Sequence, residues 1–78
     1  MEFKDRIIRD PGICGGEAVI AGTRVTIRTI LASLAERDSI KDILADFPAL
    51  SEDDVWAVIA FAAAWAEDDL PIHAVPSV

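Results

Sequence analysis

Three glycines, a lone cysteine and two arginines fall within the stretch ICGGEAVIAGTRVTIRTIL, residues 13–31. Glycine clusters of this kind can cradle a phosphate, so nucleotide chemistry is the first reading to test. A P-loop needs four residues between its glycines, then a lysine that reaches the phosphates and a helix that opens on them. Here five residues separate Gly16 from Gly22, Thr23 stands where the lysine belongs, and strand-like sequence follows. The glycines are better explained as suppliers of the positive φ angles of tight turns. Arg24, beside Gly22, fits a surface residue, a structural hydrogen-bond fork or a phosphate contact, of which the structural fork is favoured.

Other reactive groups are few. Cys14 is the only cysteine and His73 the only histidine, and neither has a sequence-evident base, nucleophile or orienting carboxylate nearby. No Cys/His cluster suggests a metal. The acidic runs Asp53-Asp54 and Glu67-Asp68-Asp69 could hold Mg²⁺ in principle. Acids at helix ends are much commoner than metal sites, so no metal, cofactor or catalytic residue is expected. The chain reads as a non-enzyme.

Those residues sit in a single short chain. Its 78 residues are 53% hydrophobic, with a net charge of -7, a pI near 4.3 and a mean hydropathy of +0.36. A chain this small has little interior. Part of its apolar surface is therefore expected at an interface, most simply a twofold homodimer. The charge argues against broad contact with nucleic acid or an anionic membrane. It is uneven, however: residues 1–28 carry five basic and four acidic groups, and residues 29–78 two basic and ten acidic. Any phosphate contact belongs to the N-terminal third. The opening MEFKDRIIRD has no apolar signal core and the run VWAVIAFAAAWA is too short to span a bilayer, so a cytoplasmic protein is expected.

RIIRD, AVIA and VTI are β-branched segments separated by the turn signals DPG, GG and GT. In RVTIR, Arg24, Thr26 and Arg28 alternate with Val25 and Ile27, which predicts two short strands and a possible hairpin turn near Gly22. From Thr29 the period becomes helical through Ile30, Leu31, Leu34 and Ala35, and a first helix is expected over about 27–37. Ser39 with Asp42 starts a second, short helix that stops before Pro48. Ser51 starts a third, with Glu52, Asp53 and Asp54 in its first turn, that runs to about Asp68. The expected fold is α+β: a short N-terminal β-hairpin, then a three-helix, helix-turn-helix-like bundle over residues 1–66, and an irregular C-terminal tail over 67–78.

In a DNA-reading helix-turn-helix the third helix would enter the major groove, but three carboxylates at its start would face phosphates. The helix is instead apolar nearly all round, which predicts a core on one face and a dimer or partner contact on the other, anchored by Trp56, Ile59, Phe61 and Trp65.

The succession of residues 13–66, with I-C-G-G-x-x-x-I-x-G-T-R followed by an IL..LA helix, ILADFPAL and an alanine-rich helix, resembles the domain of unknown function 433 family over roughly residues 9–66. The resemblance implies a helix-turn-helix-like domain usually regarded as the antitoxin of a type II toxin–antitoxin pair. Its usual partner is a PIN-like nuclease toxin, a Mg²⁺-dependent ribonuclease. By that analogy the chain neutralises the toxin by direct binding and helps to repress its own promoter. The tail has no arginine or lysine with which to plug an acidic metal site. It offers substrate mimicry instead: Glu67, Asp68 and Asp69 in place of RNA phosphates, with Leu70, Ile72 and Val75 gripping an apolar groove. The alternative is a DNA-binding transcriptional regulator using Lys4, Arg6, Arg9, Arg24 and Arg28 on a basic β element.

Overall fold

The computed structural model of the chain describes residues 5–67. Two short strands, β1 (Ile7–Ile8) and β2 (Val19–Ile20), form an antiparallel hairpin with Ile7 opposite Ile20 and Ile8 opposite Val19. Three helices follow: α1 (Ile27–Ala35), α2 (Ile40–Asp46) and α3 (Glu52–Glu67). The fold is α+β, as the hydrophobic periods predict.

The expected arm at RVTIR does lie antiparallel to β2, with Ile20 N–H donating to the Val25 carbonyl and Ile27 N–H to that of Ala18, both at 3.0 Å, but it is too short to count as a strand. One bridge joins Val19 to Thr26, and the two-residue ladder of β2 is made with Ile7–Ile8. Thr26 explains why the arm is short. Its hydroxyl accepts from the Thr29 amide at 3.2 Å, which caps α1 and draws Ile27 onward into the helix. The turn at Gly22 does form: Thr23 N–H donates to the Ile20 carbonyl at 3.0 Å, with Gly22 at φ 80°. A β-carbon at Gly22 would meet nothing within 4 Å, so glycine serves the dihedral there and not a close approach.

Each later helix opens on a reciprocal side-chain cap. Ser39 Oγ accepts from the Asp42 amide at 3.1 Å while the Asp42 carboxylate accepts from the Ser39 amide at 3.0 Å. Ser51 and Asp54 repeat the device at α3, at 3.3 and 2.9 Å. Each box satisfies two amides that a helix start otherwise leaves unpaired. The backbone bond from Ser39, with its hydroxyl, holds the Asp42 carboxyl below its ordinary pKa.

α1 stops two residues earlier than the apolar period suggests. Arg37 takes a left-handed φ of 71°, Arg37 N–H donates to the Leu34 carbonyl and Asp38 N–H to that of Ser33, both at 3.0 Å. That is a Schellman closure with arginine in the position glycine usually fills.

The core gathers Ile20 from β2, Ile27 and Ile30 from α1, Ile43 from α2, Leu50 from the α2–α3 turn, and Val55 and Val58 from α3, all at most 7% exposed. Every element thus sends at least one branched apolar side chain inward except β1, whose Ile7 packs on the rim.

Candidate functional site

α1 and the C-terminal half of α3 pack side by side and leave an open, mostly apolar groove of about 650 Å³ between them. Leu31, Ala32 and Ala35 line it from α1, and Phe61, Ala62 and Trp65 from α3. The three alanines are why the groove exists: their short side chains leave the space that larger residues would fill. Phe61 and Trp65, one turn apart, stack at a tilt with ring centroids 6.0 Å apart. Trp65 remains 53% exposed, a large apolar surface held at the groove's edge.

The other end of the groove is charged. Arg28, at the start of α1, contacts both oxygens of Glu17 at 3.0 and 3.1 Å, and Arg9 donates to the Gly16 carbonyl at 3.3 Å. Gly16 ends a one-turn 3₁₀ segment (Cys14–Gly16). All three of its residues have positive φ: 49° at Cys14, 65° at Gly15 and 85° at Gly16. Cys14 Sγ donates to the Arg24 carbonyl at 3.4 Å. The chain then leaves Gly16 toward β2 and not into a helix, so its amides build a turn rather than a phosphate cradle.

The matching family model, "Protein of unknown function (DUF433)", spans residues 7–62. The chain belongs to the DUF433 family. A solved DUF433 member from Anabaena variabilis ATCC 29413 is 31% identical and superposes with a TM-score of 0.75, over 83% of this chain and 64% of that one. This chain therefore spans a little under two thirds of the length of that relative. No curated protein matches. The family region includes both strands, all of α1 and α2 and the first eleven residues of α3, and so most of the groove.

Within this DUF433 fold the sequence-predicted residues separate into groups. Of the basic set, Arg6 reaches across to the start of α3, with Asp54 at 3.0 Å and Asp53 at 3.6 Å. Burial raises the Asp54 carboxyl, but bonds from the Ser51 amide, Arg6 and the Ser51 hydroxyl, with the Arg6 charge, outweigh it and leave the pKa below the ordinary value. Arg9 and Arg28 both line the charged end of the groove. Arg24 lies exposed at the Gly22 turn with no side-chain bond among the described residues, and Lys4 lies outside them.

The four aromatic and aliphatic anchors of α3 do not share one face. Trp56 and Trp65 are nine residues apart, about half a turn out of phase. Trp56, 45% exposed, donates its indole N–H to Glu52 at 3.3 Å, while Ile59 and Phe61 pack against the core. Only Phe61 and Trp65 of the four line the groove. Glu67 ends α3. Asp68, Asp69, Leu70, Ile72, Val75 and His73 lie outside the described residues.

The sequence reading did not single out the α1 wall. Its signal was present: Arg28, Ala32 and Ala35 recur at helical spacing on a face turned away from the fully buried Ile30. Among the described residues no group of His, Cys, Asp and Glu is arranged to hold a metal ion, and no helix is long and apolar enough to cross a membrane.

Proposed function

We propose that the chain is an antitoxin-type protein that neutralises a PIN-like ribonuclease by direct binding, working in the cytoplasm and without catalysis of its own. The observation that carries this reading is the open groove with its exposed Trp65. An apolar cleft between two helices, edged by a half-exposed tryptophan, has the composition of a protein-binding surface. The segment 67–78 continues from the same end of α3. Its Glu67, Asp68 and Asp69 suit the basic rim of a nuclease, and Leu70, Ile72 and Val75 suit an apolar channel.

The test is truncation after residue 66. Co-expressed with a cognate PIN-like ribonuclease, the full chain is expected to block RNA cleavage and the truncated chain to fail, with an unchanged circular dichroism spectrum. A truncated chain that still inhibits refutes the assignment of residues 67–78.

A DNA-binding regulator is the second reading, favoured by Arg24, whose exposed guanidinium is uncommitted among the described residues. Against it, Arg6, Arg9 and Arg28 already serve partners within the chain. Duplex binding that weakens steeply with salt and drops on Arg24→Ala would support it. No binding at low salt would remove it.

A further inference from the structure

We infer that the groove between α1 and α3 is filled by a second copy of this chain, through antiparallel contact of the two α1 helices about a twofold axis at Ala32. This rests on the reading of the groove as a protein-binding surface, gives that surface to the second copy, and leaves contact with a nuclease to the segment 67–78.

Three observations converge. The first is shape. Ala32 and Ala35 are exposed, and helices meeting at alanine approach to about 8 Å, close enough for each α1 to enter the other's groove beside Trp65.

The second is charge register. A twofold at Ala32 places residue 32 − n of one copy opposite 32 + n of the other, so Arg28 faces Glu36 of the second copy, twice. The Arg28 side chain is 79% exposed although Glu17 touches it. Glu36, the residue after α1, is exposed and its carboxylate makes no bond among the described residues. The two positions lie about 12 Å apart along the axis, four residues either side of the twofold. Self-complementarity of this kind is what an isologous contact requires.

The third is where the acids are not. Asp42 and Asp46 lie on α2, and Glu52, Asp53 and Asp54 at the start of α3. Among the described residues a single acid, Glu17, lines the groove, and it lies against Arg28. Among the described lining residues, a chain of net charge -7 thus brings little like charge to a contact with its own copy.

The experiment is sedimentation equilibrium of the full chain, alone and mixed. Wild type is expected to dimerise. Arg28→Glu alone opposes two glutamates to two glutamates, and Glu36→Arg alone opposes four cations. Each is expected to weaken the dimer by about tenfold or more. Mixed together the two variants restore both pairs, and the heterodimer should regain wild-type affinity. A wild type that stays monomeric overturns the inference, as does a mixture no tighter than its components. If Arg28→Glu folds poorly, Ala32→Arg takes its place: an unchanged melting curve with loss of the dimer supports the pairing, and a persisting dimer overturns it. Nuclease inhibition is measured separately. A monomeric chain that inhibits sinks the pairing and leaves the antitoxin reading intact, whereas a dimer that does not inhibit does the reverse.

Discussion

Removing the Asp54 side chain tests how the β-hairpin is tied to the helices. That carboxylate does two things at once: it accepts from the Ser51 amide at 2.9 Å, which closes the α3 cap, and from Arg6 at 3.0 Å, 48 residues away in sequence. Loss of a cap costs about 1 kcal/mol. A charge-assisted bond would add about 1.5–3 kcal/mol if buried, but the Arg6 side chain is 39% exposed, which cuts the figure to about 1 kcal/mol. Asp54→Ala should therefore destabilise by about 2 kcal/mol, or roughly 8–16 °C in melting temperature for a domain of this size. Asp53 is the internal control. It stands 3.6 Å from Arg6 and is 63% exposed, so Asp53→Ala should cost under about 0.5 kcal/mol. The folded-state pKa of Asp54 is lowered, so its contribution is complete above the unfolded carboxyl's pKa of about 3.9 and fades as pH falls through the lowered folded value. Thermal melts followed by circular dichroism at pH 7 and stepwise toward pH 2 measure both effects. Equal losses for Asp53→Ala and Asp54→Ala, or a wild-type advantage that persists undiminished at pH 2, would refute the reasoning.

Two further changes probe the frame of the groove. Arg37→Gly relieves the left-handed backbone that ends α1. It should raise stability by about 0.5–1 kcal/mol after glycine's own entropic cost, read as a higher urea midpoint with an unchanged slope. Ile30→Ala empties a position that is 0% exposed between α1 and the rest of the core. The expected loss of about 2–5 kcal/mol approaches the whole stability of so small a domain, so its melting transition should broaden or vanish.

The helices were legible in the sequence because their starts are written in side chains. Ser39 with Asp42, and Ser51 with Asp54, announce caps that form as expected. Their ends were less so. The stop of α1 rests on Arg37 in a conformation that no arginine advertises, so the apolar period through Leu34 and Ala35 overshoots it. The extent of the strand at RVTIR was overestimated for a related reason. Alternation in RVTIR is equally compatible with an extended arm that turns into a helix, and the Thr26 hydroxyl decides for the helix. The groove depends on how two helices lie against each other, which periodicity along one chain does not encode. Trp56 and Trp65 illustrate the limit, since a count of aromatic residues in α3 treats as one surface what the helix turns to opposite sides.

Part of the chain's acidity is used locally. Asp42 and Asp54 cap helices, Asp53 and Asp54 hold Arg6, and Glu17 holds Arg28. Each arrangement spends a carboxylate on an amide or guanidinium within the chain, at the outer ends of α2 and α3 or at the rim. What remains between α1 and α3 is apolar, shallow and nearly neutral. A surface of that kind gains little from ionic attraction and much from exclusion of water, so on the pairing proposed above shape would dominate its affinity, with Arg28 and Glu36 setting the register. Added salt should therefore shift the affinity of that face only modestly, while truncation of Trp65 to alanine should weaken it far more than it lowers the stability of the fold.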